Sequence, residues 1–244
     1  MGEDGHRRRD QEAPLSGSEQ ERAARAFFGR RKGKRLRETQ ADLVHQLLPQ
    51  LRVSVDDRLD LSTLFPSRCT SYALEIGFGG GEHLLHQARL HPEIGFIGCE
   101  PFVNGMAKML AAIDHEGIDN IRLFDADALR LLGKIPPRSL ARVFLLYPDP
   151  WPKRRQHKRR FVSDSTLASI SEVLEINGEF RFATDIDHYA GWTLARVFRS
   201  KNLVWTAESA ESWRHPWPHW IETRYEAKAR REGRFSSYLT FKRV

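Results

Sequence analysis

The chain has 244 residues, 40% of them apolar and 29% charged, with a formal net charge of +7. That length suits one α/β domain with decoration, and the apolar share excludes a chain that is disordered throughout. No apolar run approaches the roughly 20 residues of a membrane span, and the polar start of the chain lacks the apolar core of a signal peptide. Cys69 and Cys99 stand far apart without metal-ligand spacing. Neither a disulfide framework nor a metal site is expected, and a reducing, cytoplasmic setting is. The positive excess is clustered, which makes polyanions the expected partner class.

Residues 1–21 mix Gly, Glu, Asp, Arg and Gln with almost no large apolar side chain and read as a disordered tail. From Arg22 to Arg37 there are eight Lys/Arg and no acid, interrupted by Phe27-Phe28-Gly29. This stretch is either a basic arm that orders against nucleic acid or a solubilising extension. Apolar residues at Leu43, Val44, Leu47, Leu48 and Leu51 give a helical period that stops around Pro49. Beyond it, short apolar runs alternate with helical spacing. Strands are expected at Tyr72–Ile76, Phe96–Cys99, Ile121–Phe124, Val143–Leu146, Phe180–Ala183, Leu203–Thr206 and Ser237–Phe241. Helices are expected through Leu84 to Leu90, through Met106 to Ile113, after Asp127, from Ser163 or Asp164 through Leu174, and around Trp192 to Val197. Asn177-Gly178 is the expected stop of the fourth. The alternation implies an α/β fold with a mostly parallel sheet.

In open parallel sheets, ligands bind beyond the carboxyl ends of the strands. The ends of the first five strands carry Glu75 with a glycine run, Glu100, Asp127, Asp149 and Asp185. The run Gly77-Phe78-Gly79-Gly80-Gly81 allows a tight turn and close approach to a ligand. A dinucleotide fingerprint wants glycine at the first, third and sixth positions. Counting from Gly77, the sixth is Glu82, which would also repel a pyrophosphate. A ligand with a cationic centre and a ribose but no phosphate suits such acids better, and S-adenosylmethionine has those features. Glu100 stands where an acid takes ribose hydroxyls, about 20 residues past the glycine turn. Asp127 is placed for the adenine amino group and Glu75 for the methionine end. Gly77, Gly79 and Gly81 would form the cradle.

The fourth strand stops abruptly in Tyr147-Pro148-Asp149-Pro150-Trp151-Pro152-Lys153-Arg154-Arg155. Prolines at alternate positions remove amide donors and stiffen the loop. It carries one carboxylate, one large aromatic, and six Lys/Arg from Lys153 to Arg160 without an acid. That combination fits a base on a phosphate chain. Trp151 either stacks on a nucleobase or packs into the core. Lys153, Arg154, Arg155, Lys158, Arg159 and Arg160 are candidate phosphate contacts. The stretch Trp213-Arg214-His215-Pro216-Trp217-Pro218-His219-Trp220 either covers the pocket or braces the last strand, and its histidines lack a metal pattern.

Four motifs in order give the chain a family resemblance: Leu74-Glu75-Ile76-Gly77-Phe78-Gly79-Gly80-Gly81; Pro148-Asp149-Pro150-Trp151-Pro152-Lys153 with Lys158-Arg159-Arg160; Ala183-Thr184-Asp185; and Thr223-Arg224-Tyr225-Glu226. From about Phe27 to Val244 the chain resembles the bacterial tRNA (guanine-N7-)-methyltransferases, with Pro152 where that family more often carries histidine. The resemblance implies a Rossmann-like class I S-adenosylmethionine-dependent methyltransferase: a mostly parallel seven-stranded sheet with helices on both faces, spanning residues 56–244 behind a basic arm and N-terminal helix at 22–55. It implies cofactor contacts at Glu75, Glu100, Asp127 and Asp149. Substrate contacts are implied at Lys153, Asp185, Thr223, Arg224, Tyr225 and Glu226. The implied target is guanine 46 of the tRNA variable loop, with no DNA partner; monomer and homodimer both stay open.

Guanine N7 holds a free lone pair, so attack on the methyl group needs no general base. The alkylated base becomes cationic, which makes Asp149 the candidate catalytic carboxylate. Asp185 or Glu226 could accept from the N1–H and N2–H₂ donors of guanine. Two rival readings remain: a methyltransferase of the adenine N6 amine, whose loop has two prolines before the aromatic, and a non-catalytic RNA-binding subunit.

Overall fold

The structure is a computed structural model that describes residues 28–244. The expected tail at 1–21 and the first residues of the basic arm lie outside the described residues. Seven strands form one sheet in the order β3-β2-β1-β4-β5-β7-β6. They are β1 Ser71–Ile76, β2 Ile94–Cys99, β3 Ile121–Phe124, β4 Leu140–Leu146, β5 Leu174–Thr184, β6 Leu203–Trp205 and β7 Ser237–Arg243. β7 runs antiparallel to both its neighbours, and the other pairs are parallel.

Helices cover both faces, so the central strands are apolar on both sides and read as nearly continuous runs rather than alternations. The alternation survives as a division of labour. Leu74 and Ile76, Val143 and Leu145, and Phe180 and Phe182 enter one core, under the helices Ala128–Leu132, Asp164–Val173 and Asp187–Val197. Ala73, Phe96, Phe144 and Leu146 enter the other, with Leu84, Met106, Met109 and Leu110 from the helices Glu82–Leu90 and Val103–Glu116. The helical period before the sheet resolves into Glu38–Gln46 and Leu48–Leu51, with Pro49 inside the first turn of the second, where its missing N–H costs nothing. Val53 then donates to the Leu123 carbonyl at 2.8 Å and fastens this segment to the edge strand β3.

One expected boundary is corrected. The helix capped by Ser163 stops at Val173, and Leu174 already belongs to β5. Asn177-Gly178 does not close a helix. Its left-handed Asn177 (φ 66°) lies in a bulge, where the register jumps from Leu140↔Leu174 to Arg142↔Glu179. A turn signal and a bulge make the same demand on the backbone, so the dipeptide alone does not separate them.

Candidate active site

The carboxyl edge gathers the acids around the glycine turn. Gly77, Gly79 and Gly81 all have positive φ, of 73°, 58° and 84°. Other residues are strained in that conformation, and glycine is not. The turn is held by Gly77 N–H donating to the Cys99 carbonyl at 2.7 Å and by Gly79 N–H donating to Glu100 Oε2 at 2.7 Å. Glu100 Oε1 accepts from Phe102 N–H at 2.9 Å, so this buried acid organises the loop and still has lone pairs for a ligand. Burial raises its carboxyl above the ordinary range; the Phe102 and Gly79 amides pull it back, and the charges of Asp149 and Glu75 push it up again. Glu100 therefore lies within reach of the charges of two other expected acids. Asp149 stands exposed at the mouth, yet the surrounding protein limits its hydration and raises its carboxyl too. Asp127 caps the helix Ala128–Leu132, its Oδ1 accepting from Leu129 N–H at 3.0 Å.

Sequence reasoning missed His83. It is buried, and its Nδ1 lies 2.6 Å from Glu75 Oε2. Gly105 was also missed: a Cβ there would meet the Gly79 carbonyl oxygen at 2.2 Å, so the helix Val103–Glu116 touches the glycine turn only because that position is bare. The signal was faint, a glycine in an otherwise helical pattern. The preceding residue on that helix ties down the basic arm. Asn104 Oδ1 accepts from Gly33 N–H at 2.8 Å, and its Nδ2 donates to the Lys34 carbonyl at 2.7 Å.

The loop after β4 is strained on both sides of Asp149. Tyr147 and Trp151 have φ of 50° and 41°, left-handed values that are costly for aromatic residues. Tyr147 is held there by its amide to the Ala183 carbonyl at 2.8 Å and its hydroxyl to Ser236 at 2.9 Å. The basic run folds into a 3₁₀ helix, Arg154–Arg159, that leaves Lys153, Arg154, Arg155, Lys158 and Arg159 exposed. Arg160 is a correction. It is only 4% exposed, donates Nε to the Pro150 carbonyl at 2.7 Å and stacks over Tyr189 and Trp192. A guanidinium enclosed by two rings braces the loop and is not presented to a phosphate. Trp151 belongs to neither core; its ring lies 5.0 Å from the Arg159 guanidinium, which also faces Phe28 at 5.3 Å.

The C-terminal motif closes over the same edge. Thr223 caps the helix Arg224–Arg231 by accepting from Glu226 N–H at 3.2 Å. Arg224 pairs with Glu82 through Nε at 2.7 Å, so the Glu82 charge is neutralised. Exclusion of a pyrophosphate then rests on the glycine spacing and on the acids Glu75, Glu100 and Asp149. Tyr225 lies over Gly79, its hydroxyl raised by burial and by the nearby Glu100. Both Glu226 oxygens are occupied, Oε2 by Trp220 Nε1 at 2.7 Å and Oε1 by the Tyr238 hydroxyl. Arg234 Nε binds Asp185 Oδ2 at 2.6 Å, and the other oxygen has no hydrogen-bond partner among the described residues. Trp217 donates to Thr240 Oγ1 at 2.8 Å, so the aromatic stretch braces β7, while Trp220 reaches the site against His83.

Carboxylates and carbonyls around a glycine cradle, with the neighbouring Arg224 already paired, fit a cationic sulfonium and ammonium and a ribose. The sheet order and this edge define a class I S-adenosylmethionine-dependent methyltransferase. Residues 70–237 match a family model described as a putative methyltransferase. The 16S rRNA methyltransferase KamB has the same fold (TM-score 0.53, 15% identity, 79% of this chain and 99% of that one). Two proteins named tRNA (guanine-N(7)-)-methyltransferase are far nearer in sequence. One, from Rhodopseudomonas palustris strain BisB18, is 56% identical across 90% of this chain and 88% of its own. The other, from Agrobacterium fabrum, is 54% identical across 90% of this chain and 96% of its own. The chain belongs to the tRNA (guanine-N7-)-methyltransferase family. Among the described residues no helix is long and apolar enough to cross a membrane.

Proposed function

We propose that this chain transfers the methyl group of S-adenosylmethionine to N7 of guanine 46 in the variable loop of tRNA, with its residues dividing the work as follows. The observation that carries this reading is that the parallel neighbours β2, β1 and β4 bring Glu100, Glu75 and Asp149 to one edge, flanked by an exposed cationic turn. When bound, S-adenosylmethionine would supply an electrophilic methyl group on a sulfonium, and because guanine N7 has a free lone pair no residue is needed as a general base. Glu100 and Asp127 hold the ribose and adenine, Glu75 the methionine end, and Gly77, Gly79 and Gly81 form the cradle. Asp149 would face the positive charge that develops on the alkylated base, and would so stabilise the transition state more than the bound substrate. Its rigid loop supplies orientation, worth on the order of 7–11 kcal/mol in well-aligned reactions.

Asp185 accepts from the Watson–Crick edge of guanine with its remaining oxygen. Glu226, held by Trp220 and Tyr238, supports the helix that presents Arg224 and Tyr225. Lys153, Arg154, Arg155, Lys158 and Arg159 hold phosphates, and Trp151 stacks beside them. The free, buried Cys69 and Cys99 support a cytoplasmic, reducing setting.

Labelled cofactor and unmodified tRNA test this reading directly. Expected is 7-methylguanosine at position 46, lost when that guanine is replaced by adenine and lowered at least about a hundredfold in kcat by Asp149→Ala. Labelling retained after the base swap, or N6-methyladenosine in the digest, overturns the assignment. Full activity of Asp149→Ala removes its catalytic role.

A further inference from the structure

The roles assigned so far leave His83 idle, yet it is among the most constrained groups in the site. It sits on the first turn of the helix Glu82–Leu90, with Nδ1 2.6 Å from Glu75 Oε2. A carboxylate only accepts, so Nδ1 carries the proton and donates it. The ring cannot swing away: Phe144 lies edge-on at 4.7 Å and Trp220 at 5.2 Å between ring centres. Glu75 and His83 are both about 3% exposed at the side chain. The other Glu75 oxygen, Oε1, has no hydrogen-bond partner among the described residues. Both residues line the crevice formed with Gly77, Leu146, Tyr147 and Tyr225.

A buried carboxylate with one oxygen fixed and the other bare calls for a cationic partner. We propose that His83 is a positioning residue: by holding Oε2 it turns Oε1 of Glu75 toward the α-ammonium of the cofactor's methionine moiety. The inference rests on the reading of Glu75 as the contact for that end of the cofactor. A histidine at this place thus acts on cofactor affinity through a carboxylate and touches neither the methyl group nor the RNA.

The test is calorimetric titration of the full chain with S-adenosylmethionine and with methylthioadenosine, which keeps the nucleoside and sulfur but lacks the ammonium. The variants are His83→Leu, His83→Asn and Glu75→Gln. His83→Leu should weaken S-adenosylmethionine binding about tenfold and leave methylthioadenosine binding within about twofold, because only the former carries the group that Glu75 meets. In steady state KM for the cofactor should rise about tenfold while kcat at saturation holds. His83→Asn keeps an N–H donor near the Nδ1 position and should recover most of the loss. It also answers the question if the leucine variant does not fold.

A merely structural histidine would weaken both ligands alike, and that result overturns the inference. So does an asparagine variant that binds as poorly as the leucine one. Normal binding of S-adenosylmethionine by Glu75→Gln would instead sink the underlying reading of Glu75. Weakened binding in Glu75→Gln with wild-type binding in His83→Leu sinks the role of His83 alone.

Discussion

Adding a single methyl group at Gly105 tests whether the cofactor cradle depends on close packing. In Gly105→Ala the new carbon would sit 2.2 Å from the Gly79 carbonyl oxygen and 3.3 Å from Glu100 Cγ. Comfortable contacts between such atoms lie near 3.5 Å, so the helix or the turn must retreat by about 1 Å. The obstacle is backbone, which cannot rotate aside as a side chain can. Overpacking of this kind costs about 1–3 kcal/mol, or a fall in Tm of roughly 2–12 °C for a domain of this size. The same displacement carries Gly79 and its hydrogen bond to Glu100 away from the cofactor. Affinity for S-adenosylmethionine should therefore drop between about tenfold and a hundredfold, while affinity for tRNA is retained. Calorimetry and thermal denaturation measure both, with Gly191→Ala, where nothing lies within 4 Å, as the control. Wild-type cofactor binding by Gly105→Ala would refute the argument that this contact shapes the site.

Neutralising Lys153, Arg154, Arg155 or Lys158 should lower the slope of log affinity against log salt by about 0.7–0.9 for each phosphate interaction removed, read from filter binding at several salt concentrations. Arg160→Ala should leave that slope unchanged and lower Tm, because it removes packing between Tyr189 and Trp192. In the proposed role Asp149 must be ionised to face a growing positive charge, and the protein around this exposed group limits its hydration and raises its carboxyl. The rate should thus fall on acidification at a pH above the ordinary carboxylate range, and Asp149→Asn should abolish that limb of the pH–rate profile. Glu226→Gln weakens two charge-assisted hydrogen bonds, to Trp220 and Tyr238, and should cost about 1.5–3 kcal/mol in denaturant unfolding.

The fold was legible because its central strands are buried on both faces and four of the strands, β1, β2, β3 and β5, run straight into a glycine or an acid, a pattern carried by consecutive residues. Glu75, Glu100 and Asp149 could be placed at one edge from sequence alone, since a parallel sheet forces the carboxyl ends of its strands together. Their partners could not. His83 reaches Glu75 through the geometry of the turn between β1 and the following helix, and Gly105 meets Gly79 from a distant part of the chain. Neither relation has a periodicity to betray it.

Arg160 shows how a motif can mislead by uniformity. The cations between Lys153 and Arg160 look equivalent as letters, but the first five stand on or beside a short 3₁₀ helix at the surface, and Arg160, just past its end, is buried. Its neighbours there, Tyr189 and Trp192, come from a helix that begins only at Asp187. Its guanidinium holds the Pro150 carbonyl, one residue from Asp149, and so stiffens the loop that carries this carboxylate. The cationic run therefore divides in two: its exposed members are open to a polyanion, and its last member holds the loop that carries Asp149. Only the first is visible in charge, because the second depends on which rings the fold brings to meet it.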